Sequence, residues 1–389
     1  MKFRHYFPLV KTLFCLAFIF SSCLLQGFAV ETRQYYINPT TGNDSNDGLA
    51  PQTSFKTIQH GLDIARPGTI INLAKGIYRE TLTTKINGTA DAPIIIRGTD
   101  QAKMPKNRYQ TVLYGTTRII VNINHSFYRL EGFAVDGQEA LANKELPKKA
   151  EDVTAFKDAN RAIIIDSKLI YIGYDNATRE LTGIKILNMY LRGAGGECVR
   201  LRNAAHHNEI SNSVIEYCGM FAKENGTAFR YHNGEGVYIG TSPKSTTQPM
   251  FANDTSSYNI VSDNIIHTYG SECFNVKENA HHNQFVNNEC GYNLEPLEFS
   301  GSNVELRGDH NLIEGNIISD SAGVNVKLKS DAPIYDKGGN SIRSNKFNNS
   351  AGNSIQNEAS GTDFCGNTVD NKLKGTSISD VTAPCKKVN

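Results

Sequence analysis

The chain has 389 residues, of which 39% are hydrophobic and 20% are charged, with 33 glycines, 12 prolines and no tryptophan. This size is enough for one large domain or two small ones. The formal net charge of +1 is not that of a polycation, which argues against nucleic acid as the main partner, so an anionic ligand would need a local basic patch.

Residues 1–29 have the pattern of a secretory signal peptide. Three basic residues precede an apolar stretch from Leu13 to Leu25, which is too short and too early for a membrane span. Gly27-Phe28-Ala29 then offers a small-residue cleavage site, and lipid modification of Cys23 is the alternative. No later stretch is apolar enough to span a bilayer. We therefore expect a secreted protein, extracellular or periplasmic, whose net charge becomes −2 once the signal is removed.

Residues 34–98 predict an N-terminal cap and the first rungs of a strand-rich fold. Ser54 to Ala65 is predicted as an amphipathic helix, with Ser54 as its N-cap and its apolar residues on one face. Such a helix would cover the first rung of a solenoid, whose end otherwise exposes core and unpaired strand edges. Strands are predicted at 34–38, 69–73, around Tyr78 and at 93–98.

Residues 99–190 continue the same rhythm of short strands, with strands predicted at 118–123 and 128–133. A charged insertion from Leu141 to Lys157 has no strong periodic pattern. We interpret it as a loop or short helix that projects from one rung of the solenoid.

Regular rungs are predicted over 183–371, where a repeat that begins with asparagine is visible. Consecutive repeats start at Asn259, Asn283, Asn311 and Asn340, at intervals of 24, 28 and 29 residues. Periods of about 20–50 residues are typical of solenoids, and each unit holds short alternating strands rather than helical patterns. The asparagines predict ladders in which side-chain amides of successive rungs hydrogen-bond to one another.

A second strand precedes each asparagine repeat, and its side chains divide into two faces. One face is apolar and is the predicted core, as in Val276 and Leu306. We expect residues 30–389 to form a single all-β domain, a parallel β-helix, which the handedness of parallel crossovers makes right-handed. The other face is a column of cations with amides, an acid and an aromatic between them: Arg200, Arg202, Tyr238, Asn275, Lys277, Glu305, Arg307 and Lys327.

Six cysteines follow the predicted signal peptide, an even number that permits disulfides in an exported chain. No C-x-x-C spacing favours a metal cluster. Our first prediction pairs sequence neighbours: Cys198 with Cys218, Cys273 with Cys290, and Cys365 with Cys385.

A basic stripe along a β-helix suits an extended acidic polysaccharide, either uronic or sulfated. Cleavage of a uronate by β-elimination needs a base for the C5 proton, a positive charge at the carboxylate and a proton for the leaving oxygen. Lys277, flanked by other cations, is predicted to have a lowered pKa and to act as the base. Arg307 would stabilise the enolate or assist the leaving group.

Glu235 and Glu272 occupy equivalent positions at the starts of their strands, as does Glu197. Together with Asp254 or Asn264 they could bind a Ca²⁺ that holds the substrate carboxylate; the alternative is that they bond backbone N–H groups in turns. Tyr238 could stack on a sugar ring. The predicted substrate-binding residues are Arg200, Arg202, Tyr238, Asn275, Glu305, His310 and Lys327.

These residues resemble a known family. The motifs are Glu272-x-x-x-x-Lys277, then Leu306-Arg307-Gly308, then Asn311-x-x-Glu-Gly-Asn316, within roughly residues 230–320. They resemble the active-site segment of polysaccharide lyase family 6, the alginate lyase and chondroitinase B family. The resemblance implies Lys277 as base, Arg307 as acid and Glu272 as a calcium ligand. The start of the chain, Tyr35 to Glu80, resembles the capped N-terminus of secreted β-helix proteins such as pectate lyases of family 9.

Three functions are compatible with this pattern. The first is a secreted, monomeric lyase acting on an acidic polysaccharide. The second is a hydrolase or epimerase on the same fold, although a hydrolase should show clustered carboxylates and only Glu305 clearly projects from the outer face. The third is a non-catalytic glycan-binding protein, in which Lys277 and Arg307 are solvated surface charges.

Overall fold

The computed structural model describes residue 1 and residues 32–100, 109–174, 180–222, 234–243, 254–329 and 338–386. The predicted signal peptide, apart from Met1, lies outside these ranges. Within them, no helix is both long and apolar enough to cross a membrane.

Short strands, numbered β1 to β30 in chain order, form three sheets in which every pairing is parallel. We call the three sheets A, B and C. From β3 onward, successive strands belong in most cases to sheet B, then sheet C, then sheet A, so each coil of the chain adds one strand to each sheet. This is the predicted parallel β-helix.

Sheet A contains β1 Gln34–Ile37, β2 Ile70–Leu73, β5 Ile94–Arg97, β8 Tyr128–Glu131, β11 Lys185–Leu187, β14 Glu209–Ser211, β17 Ile260–Ser262, β20 Gln284–Val286, β23 Leu312–Glu314, β26 Ser341–Arg343 and β29 Asp363–Cys365. Sheet B contains β3 Gly76–Arg79, β6 Thr111–Tyr114, β9 Ala134–Asp136, β12 Tyr190–Arg192, β15 Val214–Glu216, β18 Ile265–His267, β21 Glu289–Gly291, β24 Ile317–Ser319 and β27 Lys346–Phe347. Sheet C contains β4 Leu82–Thr83, β7 Ile119–Ile123, β10 Lys168–Ile172, β13 Val199–Leu201, β16 Val237–Ile239, β19 Phe274–Val276, β22 Ser302–Leu306, β25 Val324–Leu328, β28 Ile355–Asn357 and β30 Leu373–Lys374.

Helices lie at both ends of the coil. Helix α1, Ile58–Asp63, packs against β1, β2 and β4 as the predicted cap. The predicted N-cap, Ser54, was wrong: the side chain of Thr57 accepts the His60 N–H instead, because residues 51–53 form a separate 3-10 turn. Helix α3, Ile378–Thr382, covers the other end against β29.

Helix α2, Ala150–Asn160, begins within the charged insertion and extends to Asn160, beyond the predicted end at Lys157, in agreement with the prediction of a loop or short helix. Its buried Val153 and the preceding Leu141 belong to a second apolar cluster that includes Phe221. Lys157 Nζ also donates to the Ala222 carbonyl at 2.7 Å. The insertion therefore packs on the coil between β15 and β16. Two further 3-10 turns are at Glu139–Leu141 and Leu297–Phe299.

The main core runs along the inside of the coil, from Tyr35 to Val381. Val276 and Leu306 are fully buried there, so the apolar face predicted from the strand alignment is confirmed.

Two asparagine ladders line the turns, as predicted. In each, the side-chain oxygen of one asparagine accepts both the backbone N–H and the side-chain N–H₂ of the asparagine one coil earlier, as for Asn283 on Asn311. A buried amide that is satisfied in this way fixes the register of adjacent coils. One ladder contains Asn208, Asn259, Asn283, Asn311 and Asn340, and the other Asn264, Asn288, Asn316, Asn345 and Asn367.

Disulfides join all three predicted pairs: Cys198 with Cys218, Cys273 with Cys290, and Cys365 with Cys385. The first two connect the residue just before a sheet C strand, β13 or β19, to the next sheet B strand along the chain, with Cys218 just after β15 and Cys290 within β21. They hold the corner from which the strands of the candidate site begin.

Candidate active site

Three columns of residues on sheet C contain all the predicted site residues except Asp254 and His310. They follow from the parallel register, which places equivalent residues of adjacent strands about 4.8 Å apart. The acidic column, at the strand starts, is Glu197, Glu235 and Glu272. The middle column is Arg200, Tyr238, Asn275, Glu305 and Lys327. The end column, just after the strands, is Arg202, Gly240, Lys277, Arg307 and Lys329.

Lys277 and Arg307 are neighbours in the end column, as the alignment predicted. Val276 pairs with Leu306, and the Arg307 N–H donates to the Val276 carbonyl at 2.9 Å. Both side chains are partly exposed, 24% for the Arg307 side chain, so a ligand in solvent can reach both.

Two carboxylates hold Arg307 in place. Its Nε lies 2.8 Å from Glu305 Oε1, and its Nη1 lies 3.8 Å from Glu278 Oε1. Both glutamates are buried, and Glu278 also accepts a hydrogen bond from Ser242. The guanidinium is therefore anchored on its protein side.

Tyr238 lies between two cations. The Arg200 guanidinium is 4.1 Å and the Lys277 ammonium 4.7 Å from the centre of its ring. These contacts are cation–π interactions, and the residue is only 5% exposed. The ring faces are thus occupied, so the structure does not support the prediction that Tyr238 stacks on a sugar.

Carboxylates are much more numerous at this face than the sequence indicated. Glu197, Glu235, Glu272 and Glu305 are all buried. Glu197 forms ion pairs with Lys168 and Arg200. The expectation that Glu305 alone projects here was wrong, because the residues at the strand starts turn their side chains onto the same face.

These acids reverse the predicted pKa shift of Lys277. Burial lowers the pKa of Lys277, but its attraction to the surrounding acidic groups outweighs burial and raises the pKa above its ordinary value. The prediction that flanking cations lower this pKa was wrong, because the attraction of nearby acidic groups outweighs both burial and those cations. The groups that raise it are Tyr238, Glu235, Glu305 and Glu272.

Burial separates the predicted substrate-binding residues into two sets. Arg202 is partly exposed in the end column, and His310 is exposed, with its ring stacked on that of His282 at 5.0 Å. These two remain candidates for contact with a ligand. The others lie beneath the surface in the middle column: Arg200, Tyr238, Asn275, Glu305 and Lys327. Lys327, for example, points its Nζ at the Ser300 carbonyl, 3.4 Å away.

Gly240 is the neighbour of Lys277 in the end column and has no side chain that could cover it. It occupies the end-column position one coil earlier, where its φ of +86° favours glycine. A Cβ there would lie 3.0 Å from Ala280 Cβ and 3.4 Å from Lys277 Cβ. A larger residue would crowd Lys277 on the side facing Arg202.

Calcium ligation by the predicted residues is not supported. Asp254 accepts hydrogen bonds from the backbone of Asn203, Ala204 and Ser256 and from the hydroxyls of Thr241 and Ser256. These contacts use the roughly four lone-pair positions of a carboxylate, so we leave Asp254 out of the site.

The structure does not test whether the remaining acids bind calcium. One oxygen of Glu235 and the amide oxygen of Asn275 lack hydrogen-bond partners in the described part of the chain, as metal ligands would. However, no three His, Cys, Asp or Glu side chains among the described residues are arranged to hold a metal. Calcium therefore stays an untested prediction, and no chemical step below uses it.

Several members of this network were missed from the sequence. Ser271, Glu278 and Glu295 are buried next to Glu272 or Arg307. Ser271 lies next to an acid of the strand-start series and could have been noticed. Glu295 lies in the stretch between β21 and β22, which has no repeat pattern, and only tertiary contacts bring it here.

Comparison with known proteins supports the fold. No family model matches the chain. Among solved structures, an alginate lyase from Paenibacillus sp. str. FPU-7 is 17% identical with a TM-score of 0.52, covering 82% of this chain and 96% of that one. Pectate lyase Pel9A is 14% identical with a TM-score of 0.51, covering 92% and 82%. The chain is a right-handed parallel β-helix that resembles polysaccharide lyases.

Two other similarities show that the structural likeness does not identify the activity. The enzymatically active domain of tailspike protein 2 from bacteriophage CBA120 also matches, at 12% identity and a TM-score of 0.51, covering 86% of this chain and 42% of that one. Uncharacterized protein YwoF of Bacillus subtilis (strain 168) is 28% identical over 113 residues, which span 28% of this chain and 24% of that protein. The β-helix resemblance predicted from the sequence is confirmed, and the activity has to be argued from the site.

Proposed function

We propose that this protein is a secreted polysaccharide lyase that cleaves an acidic, uronate-containing polysaccharide by β-elimination. The observation that carries the proposal is the adjacent, solvent-accessible pair Lys277 and Arg307, anchored on buried charges at the end of sheet C. Its partner would be the polysaccharide alone, and we expect it to act as a monomer. The disulfides agree with export.

In the proposed reaction Lys277 removes the C5 proton of a uronate. The C4–O bond then breaks, a C4–C5 double bond forms, and the leaving oxygen takes a proton. Arg307 binds the carboxylate and stabilises the negative charge that develops on it as the proton leaves. Holding both groups on one rigid sheet keeps them oriented toward a single sugar residue.

Arg307 is not suited to be the general acid, because a guanidinium does not give up its proton in proteins. Tyr238 is beside Lys277 but is buried in the middle column, so it is not placed to reach the leaving oxygen. We therefore assign electrostatic stabilisation to Arg307, and water supplies the proton to the leaving oxygen.

We test the proposal by incubating the purified protein with alginate, pectate, chondroitin sulfate, dermatan sulfate and heparin. We expect one of them to give products with the ultraviolet absorbance of a C4–C5 unsaturated uronate. Digestion in ¹⁸O water separates the alternatives, because hydrolysis adds solvent oxygen to the product and elimination does not. Binding without either product would instead indicate a non-catalytic glycan-binding protein.

The rate of elimination should rise with pH through the neutral range. Since the pKa of Lys277 is raised above its ordinary value, the protonated amine is the resting form at pH 7. The base must be unprotonated, so kcat/KM should increase about tenfold per pH unit below that pKa. A kcat/KM that falls with increasing pH would instead make Lys277 a purely electrostatic group.

A glycoside hydrolase is the second candidate, because the acidic column brings carboxyl groups with opposed pKa shifts together. Burial and the Glu197 charge raise the pKa of Glu235. The pKa of Glu197 is lowered, since Arg200 and Lys168 outweigh its burial. Opposed pKa shifts are typical of the two catalytic carboxyl groups of a glycoside hydrolase, of which one is the general acid and the other stays ionised. However, Glu197 is fully buried in its ion pairs and cannot touch a substrate, so we favour the lyase.

A further inference from the structure

The outer face of sheet B carries a pocket that contains none of the predicted site residues, all of which lie elsewhere on the coil. Its volume is about 440 Å³, within the range of about 300–1,000 Å³ that is usual for ligand pockets. The register of β6, β9 and β12 places Val112, Ala134 and Tyr190 side by side in one row. Ala134 is the smallest of the three, so the floor of the pocket lies at this position.

Tyrosines form the walls of the pocket. The rings of Tyr109 and Tyr190 stack, with their centroids 4.8 Å apart and an angle of 20° between their planes. Tyr114 lines the pocket from β6. Burial raises the pKa of Tyr114 to about 12, so its hydroxyl stays protonated at neutral pH and can donate a hydrogen bond. Aromatic walls with a polar tip suit a ligand that has both apolar C–H faces and hydroxyl groups.

The charges around the pocket cancel. Asp136 is buried and pairs with Arg192, which is also buried and whose Nη1 lies 2.6 Å from Asp136 Oδ2. The other oxygen of Asp136 accepts the Gln138 N–H at 2.8 Å, so both oxygens keep lone pairs that a ligand hydroxyl can use. At the rim, Lys144 and Glu145 add one positive and one negative charge. An uncharged ligand therefore fits this pocket better than an ionised one, which would lose its hydration without gaining a partner.

The charged insertion forms the rim. Residues 143–145 are exposed and follow the 3-10 turn Glu139–Leu141, in which Leu141 is fully buried. Arg79, at the end of β3, holds this turn over sheet B, because its Nε lies 2.8 and 2.9 Å from the two carboxylate oxygens of Glu139. The insertion thus turns an open sheet face into a rimmed pocket.

We propose that this pocket is a second carbohydrate site, which binds one or two residues of an uncharged glycan. A uronate in the pocket would place its carboxylate near Asp136 and Glu145, so the pocket and the Lys277–Arg307 pair recognise different sugars. The proposal does not depend on the lyase activity, because the pocket shares no residue with that pair.

Calorimetric titration of the purified protein with maltose, cellobiose, lactose and mannobiose tests the proposal. We expect at least one of these neutral disaccharides to bind with a Kd of about 1 mM. An excess of digalacturonate should not displace it, since that ligand carries two negative charges. Failure of all the neutral disaccharides to bind at about 10 mM, or their displacement by digalacturonate, overturns the proposal.

Three variants locate the bound sugar. Ala134→Phe fills the floor and should weaken binding at least about tenfold. Tyr114→Phe removes a single hydroxyl and should weaken binding about threefold to tenfold. The matched control is Ile317→Phe, which adds the same ring in the same row of sheet B but outside the pocket, at a residue that is 48% exposed.

The control should keep the Kd within about twofold of the native value, as is usual for an exposed position. Circular dichroism shows whether each variant is folded, and Tyr114→Phe still decides the matter where the larger change at Ala134 prevents folding. An unchanged Kd in the folded pocket variants would place the sugar elsewhere and refute the proposal. Absence of lyase activity would count against the proposed function alone, because the titration requires no turnover.

Discussion

Lys277→Ala is expected to lower kcat on the cleaved polysaccharide by about 10³-fold, within the range attributed to general bases. No other group in the proposed mechanism can replace Lys277 as the base, since Arg307 cannot accept a proton at neutral pH. The affinity for the polymer should change much less, because Arg307 and Arg202 remain at the same edge of sheet C. Absorbance of the unsaturated product gives kcat, and calorimetric titration with intact polymer gives the affinity.

Two further variants decide whether Lys277 is a base or only a cation. Lys277→Arg keeps the charge but removes a group that can lose its proton, so it should be as inactive as the alanine variant. Recovery of activity with arginine would refute the base assignment. Lys346→Ala removes an exposed lysine from sheet B and should leave kcat unchanged. Circular dichroism of each variant confirms that the coil is folded.

Asn316→Ala should lower the free energy of unfolding by about 3 kcal/mol or more. The Asn316 side chain accepts the backbone and side-chain N–H of Asn288, and it donates to the Phe285 and Glu314 carbonyls and to Asn345. Each lost hydrogen bond costs about 1 kcal/mol net, and a buried partner left unsatisfied costs more. Denaturation in urea, followed by circular dichroism, gives the midpoint and the slope.

The exposed Asn143 provides the matched control for the ladder. Asn143→Ala should change the free energy of unfolding by no more than about 0.5 kcal/mol, as is usual for surface positions. Equal midpoints for the two alanine variants would show that the ladder does not contribute to stability. Because a coil of stacked repeats can lose cooperativity, the slope of each transition has to be compared as well.

The sequence alone determined the architecture and the positions of many of its strands, above all in the asparagine repeats. The asparagine spacing predicted the coils because an asparagine at the same turn of every coil can satisfy its neighbour, as Asn283 and Asn311 do. Alternation within each strand then separated a core face, with Val276 and Leu306, from an outer face. Since parallel register is fixed by those same ladders, the adjacency of Lys277 and Arg307 also followed from the sequence.

Only the tertiary structure decided the charge environment of the site. The alternation of residues along a strand shows which side chains point away from the core, but it does not show which other residues pack over them in the folded chain. Glu295 reaches Ser271 from an irregular stretch, and Ser271 also donates to Glu272 at the start of a strand. Electrostatic effects depend on distance and burial rather than on sequence spacing. For that reason the sequence found the Lys277–Arg307 pair correctly, yet the pKa shift of Lys277 and the buried surroundings of Glu272 required the folded coil.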